Sequence, residues 1–194
     1  MRNLFLSVLV CSLLCSCNSS DSTEGATEAV QQSQDVQSEN RGGVEAKLQE
    51  MGVQLPEPSP PAANYVNAVR TGNLVFLAGK GPRKADGTYV TGKVGADLTV
   101  DEGYEAARLV AINQLAALKA EIGDLDKVKR IVKVLGMVNA DPTFTNQPEV
   151  INGFSDFMVE VFGERGKHAR AAVGMVSLPR NIAVEIEMIV EVED

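Results

Sequence analysis

Hydrophobic positions in the second half of the chain fall into two rhythms, one helical and one alternating. Ala107, Ala111, Leu115, Leu118 and Ile122 share one face at helical spacing, which predicts an amphipathic helix. Thr99-Val100-Asp101-Glu102 precedes it as a capping box: Thr99 can cap the Glu102 amide while Glu102 reaches back. Gly123 provides the stop. Val150, Phe154, Phe157 and Val161 form a second helical stripe, and Pro148 suits its first turn. Strands are expected over residues 65–69 and 74–78 around a Thr71-Gly72-Asn73 turn, over 128–138, and over 169–176 and 183–192 around Leu178-Pro179. In the last of these Val184, Ile186, Met188, Val190 and Val192 alternate with Glu185, Glu187 and Glu191. One face therefore belongs to a core, and the other is wet or lines a site.

The order ββ, α, β, α, ββ predicts an α+β domain, a mixed β-sheet with two helices packed on one face. Met137, Met158 and Met175 are expected to fill the core. Upstream, residues 44–51 can form a short helix stopped by Gly52, and 56–61 read as an extended, proline-rich lead-in. Residues 18–43 are rich in Ser, Gln, Glu, Asp and Thr and poor in large apolar side chains, the composition of a disordered tether. The expected folded domain is 44–194.

All three cysteines, Cys11, Cys15 and Cys17, lie at the N-terminus, so the body of the chain has neither a disulfide framework nor a cysteine metal site. Arg2 and the apolar run 4–14 are too short to span a bilayer as a helix but suit a signal peptide. The run ends in Leu14-Cys15-Ser16-Cys17, which resembles a bacterial lipobox. That resemblance implies cleavage after residue 16, acylation of Cys17 within a 17–43 tether, and a membrane-anchored lipoprotein, on the outer membrane facing the periplasm. An ordinary cleaved signal peptide is the alternative. Anchoring would then come from more than one acyl chain rather than from a transmembrane helix. A formal charge of −8, pI near 4.8 and the absence of Trp argue against nucleic acid as a partner, since phosphate backbones are bound by clustered Lys and Arg.

Ala169-Arg170-Ala171-Ala172-Val173, Leu178-Pro179 and Val184-Glu185-Ile186-Glu187, together with Asn64-Tyr65, Gly72 to Leu77, Gly79, Pro82 and Asn152, resemble the RidA (YjgF-type) reactive-intermediate deaminases. The similarity runs from about residue 55 to the C-terminus. It implies a chorismate-mutase-like fold, a homotrimer with clefts between neighbouring subunits, and cofactor-free hydrolysis of enamine and imine acids to 2-keto acids and ammonia. Arg170 then binds the substrate carboxylate, for which its planar fork is better suited than a Lys. Glu185 corresponds to the glutamate that activates water, and Tyr65, Asn152, Gly79 and Ala172 to cleft residues. From the residues alone, Arg170 could equally pair with an acidic neighbour, Glu185 could be a solvated strand carboxylate, Tyr65 a core tyrosine, and Asn152 a cap. Ala172 stands where many relatives carry Cys or Ser, and Lys80 where Gln is common. His168 is the only histidine, which excludes a multi-histidine metal site and suits a structural role. Two rival functions stay open, a small-carboxylate-binding lipoprotein without turnover and a structural surface trimer.

Overall fold

The computed structural model describes residues 43–193. Cys17, the expected signal segment 1–16 and the tether through residue 42 lie outside the described residues. The elements in chain order are α1 (Gly43–Glu50), β1 (Ala68–Thr71), β2 (Leu74–Lys80), α2 (Val100–Ile122), β3 (Val128–Asn139), α3 (Gln147–Phe162), β4 (Ala169–Met175) and β5 (Val184–Val192).

The five strands form one sheet in the order β1-β2-β5-β3-β4. Every neighbouring pair is antiparallel except β3 and β4, which run parallel and are joined through α3, as a parallel pair requires a crossover. The capping box is present: the Glu102 amide donates to Thr99 Oγ1, and the Thr99 amide to Glu102. Both long helices pack on one face of the sheet and enclose Val110, Leu115, Phe154, Phe157, Ile186 and Met188. Two glycines set how closely the layers approach. A Cβ on Gly153 of α3 would fall 2.0 Å from the Tyr104 carbonyl oxygen of α2, and one on Gly136 of β3 would strike Ile151. The short helix α1 joins this core through Val44 and Leu48, and the Val44 amide donates to Asp126 at 2.6 Å.

Side chains alternate across strands, so registers assign each residue to a face. Arg170, Val134 and Met188 form one row on the helix side, and Glu185, Met137 and Val173 form another on the opposite side. No described element covers that opposite face, where Val69, Phe76, Val173 and Met175 are exposed.

Three expectations need correction. The strand expected over 65–69 is Ala68–Thr71 instead. The two-residue Gly72-Asn73 turn sets Thr71 opposite Leu74, and pairing ends at Ala68 opposite Leu77, leaving Tyr65 and Val66 exposed outside the strand. Met175 lies exposed on the uncovered face and Met137 is only half-buried there, so of the three methionines Met158 alone is core. Finally, β2 runs on to Lys80, past a register shift between Leu77 and Lys80.

Candidate functional site

That register shift builds a cavity. Where β2 and β5 fall out of step, the buried Gln114 of α2 inserts its amide and donates to Ala78 O (3.1 Å) and Ile186 O (2.6 Å). The amide thereby supplies a donor to a carbonyl on each strand at the irregular junction. Gly79 sits at this irregularity with its Cα against the Glu185 carboxylate; a Cβ there would fall 2.3 Å from Glu185 Oε1. The next residue, Lys80, donates through Nζ to Asn67 Oδ1, and Asn67 Nδ2 donates to Ser59 O (2.9 Å), which ties the proline-rich lead-in to the sheet. The result is a cavity of about 280 Å³ lined by Tyr65, Gly79, Lys80, Asn113, Arg180 and Glu185 among others. Burial, and after it the neighbouring Glu187, pushes the Glu185 carboxyl above the usual carboxylate range. Burial likewise lowers the Lys80 ammonium.

A second constellation lies where β4 meets α3. Arg170 Nη1 donates to Asn152 Oδ1 (2.8 Å) and Ser155 Oγ (3.0 Å). Ser155 Oγ is also 3.0 Å from His168 Nε2, and His168 Nδ1 lies 2.7 Å from Gly166 O. A carbonyl can only accept, so Nδ1 carries the proton of the neutral ring, Nε2 accepts from the Ser155 hydroxyl, and the Ser155 oxygen accepts from Arg170. Burial first, and the Arg170 charge as well, lowers the His168 pKa, while its bond to Gly166 O works the other way. No carboxylate pairs with Arg170 among the described residues. Its guanidinium is oriented by the neutral oxygens of Asn152 and Ser155.

The expected site residues therefore divide into two groups. Tyr65, Gly79 and Glu185 line the cavity, whereas Arg170 and Asn152 belong to the second constellation, and Glu185 and Arg170 point to opposite faces of one sheet. One chain by itself does not bring them together. Tyr65 is not a core tyrosine: it is about half exposed, and its hydroxyl receives the Ala62 amide. Ala172 packs against the core beside Gly136. Sequence reading passed over Ser155 and Gln114. Ser155 could have been found from its spacing of three from Asn152, which places both on one helix face. Nothing local marks Gln114, because its role depends on the register shift two elements away.

Comparison with known proteins agrees with this architecture. Residues 45–192 match a family described as "YjgF/chorismate_mutase-like, putative endoribonuclease". Protein TCP17 of Trypanosoma cruzi is 46% identical over 154 residues, covering 79% of this chain and 96% of that protein. A 2-iminobutanoate/2-iminopropanoate deaminase of Dermatophagoides farinae is 29% identical over 143 residues, covering 73% and 95%. The crystal structure of Atu1372, a protein of unknown function from Agrobacterium tumefaciens, superposes with a TM-score of 0.72 at 46% identity, covering 77% of this chain and 94% of that one.

Proposed function

The chain belongs to the YjgF/chorismate mutase-like family, and on that premise we propose that it hydrolyses imines and enamines of small carboxylic acids to 2-keto acids and ammonia, without a cofactor. The observation that carries the reading is Arg170, a half-buried guanidinium steered by Asn152 and Ser155 and neutralised by no carboxylate among the described residues. A substrate carboxylate is the natural partner for such a group. The similarity to an imine deaminase supports the same substrate class.

In this reading Arg170 holds the carboxylate and thereby orients the C=N carbon. Glu185 accepts a proton as water attacks that carbon. Glu185 passes that proton to the nitrogen to give the carbinolamine. It then moves the carbinolamine hydroxyl proton to the amine, so that the C–N bond breaks, ammonia leaves and the C=O of the keto acid forms. An enamine first tautomerises to the imine. Tyr65 and Gly79 shape the water side, Asn152 fixes Arg170, and Ala172 contributes backbone. Because Arg170 and Glu185 lie on opposite faces of one sheet, the mechanism needs neighbouring copies to supply them to one cleft. The reading accordingly includes a homotrimer assembled over the uncovered apolar face around Phe76 and Val173, with Cys17 acylated and the trimer anchored in the cell envelope. The endoribonuclease description of the family is disfavoured for this chain, since a charge of −8 opposes a polyanion. A carboxylate-binding lipoprotein without turnover uses the same Arg170; Ala172, which offers no thiol beside it, is the observation in its favour.

The test supplies the purified protein with imino acids made in situ by an amino-acid oxidase and follows ammonia release. Wild type should accelerate release, and Arg170→Ala should lose about 100-fold or more. Full activity in that variant would remove the proposed role. Keto-acid binding with no hydrolysis would establish the non-catalytic reading. Sedimentation of Phe76→Glu should show a monomer where wild type is a trimer.

A further inference from the structure

The chain is acidic overall, yet three basic side chains, Lys80, Arg83 and Arg180, line the 280 Å³ cavity. None of them forms an ion pair among the described residues. The cavity's carboxylates are Glu57, which is exposed, and Glu185, and neither is within ion-pairing distance of a cavity cation. Lys80 is more enclosed than the exposed Arg180. It is half-buried, and its only described partner is the neutral amide oxygen of Asn67. An ammonium removed from water in this way has lost hydration that an amide oxygen replaces only in part. Arg180 is held at the rim by an unusual backbone: it and Asn181 have φ of 56° and 57°. That turn is fixed by Asn139 Nδ2 donating to Asn181 Oδ1 (2.9 Å) and by the Gly92 amide donating to Asn181 O (2.8 Å). Positive potential is therefore focused on one concave, partly desolvated spot of an otherwise negative molecule.

We propose that Lys80, with Arg83 and Arg180 at the rim, receives a second carboxylate, so that the favoured substrates are imines of dicarboxylic acids. One carboxylate would sit on Arg170 of a neighbouring copy and the other on Lys80. The inference rests on the deaminase reading for the reaction but not for the binding, and the two can fail separately. The competing explanation is that Lys80 only fastens the lead-in through Asn67 and Ser59. Lys80→Gln separates the two, because a glutamine amide can still donate to Asn67 while the charge is gone.

The experiment compares imines generated from alanine and from glutamate, with wild type, Lys80→Gln and Lys80→Arg. Wild type should show kcat/KM about tenfold higher for the glutamate-derived imine. Lys80→Gln should erase most of that preference, chiefly by raising KM, and Lys80→Arg should restore it. Equal rates on both imines in wild type, or equal losses on both in Lys80→Gln, would overturn the proposal. If neither imine is hydrolysed, the deaminase reading falls, and calorimetry with 2-ketoglutarate and pyruvate decides the inference alone. Tighter 2-ketoglutarate binding that disappears in Lys80→Gln would uphold it; equal or absent binding of the two acids would overturn it.

Discussion

Gly79 and Glu185 are in contact across the irregular junction of β2 and β5, close enough that a Cβ at position 79 would lie 2.3 Å from Glu185 Oε1. The glycine is thus a spatial requirement of the carboxylate's position. Gly79→Ala should push the flexible end of Glu185 aside with little strain elsewhere. We expect imine hydrolysis to fall by about tenfold or more while stability changes by less than about 1 kcal/mol. Parallel kinetics and urea denaturation would check this, and an unaltered rate would show that the placement of Glu185 does not matter.

Arg170→Lys tests the geometry of the cation and not merely its charge. An ammonium cannot reproduce a fork that is anchored on Asn152 and Ser155 and still presents N–H groups to a carboxylate. The expected loss in kcat/KM is on the order of tenfold to 100-fold, with the fold retained by circular dichroism.

Acid should silence the proposed hydrolysis earlier than an ordinary carboxylate would predict. A proton acceptor works only when ionised, and burial together with Glu187 raises Glu185. The acid limb of kcat/KM should therefore lie above about pH 4.3, the unperturbed value for Glu. Glu187→Gln removes the like charge, so its limb should move to lower pH. A pH-rate profile of the two proteins measures the difference.

His168 makes stability depend on pH in a definite sense. Its folded pKa is lowered, mainly by burial, so between that value and about 6.5 the unfolded chain binds more protons. Stability should rise with pH through this window and be lost as pH falls. Glu185, with a raised pKa, acts oppositely, but it is common to wild type and His168→Gln. The difference between their urea midpoints at pH 7 and pH 5 isolates His168, and the variant should show the flatter dependence.

Gly153→Ala should damage the fold itself. The added methyl would meet the backbone oxygen of Tyr104 at 2.0 Å, and a helix backbone cannot step aside as a side chain can. A cost of about 3 kcal/mol is expected from forcing α2 and α3 apart, visible as a lower melting temperature. An unchanged melting temperature would show that the two helices do not approach this closely in solution.

Local chemistry determined much of this protein. The capping box at Thr99, the stripe from Ala107 to Ile122, and the alternation from Val184 to Val192 each specify an element through neighbours a few residues away. The α+β class follows from their order. The family resemblance also picked out Arg170, Glu185, Gly79, Tyr65 and Asn152 as residues to examine. Only the tertiary structure decided how they group. Faces are set by strand register, and register comes from pairing between distant segments: Val134 with Arg170 places the guanidinium on the helix side, and Met137 with Glu185 places the carboxylate on the other. The start of β1 at Ala68, the bridging role of Gln114 and the Ser155–His168 link to Arg170 have the same origin. Each depends on contacts made across the chain, which no local pattern encodes.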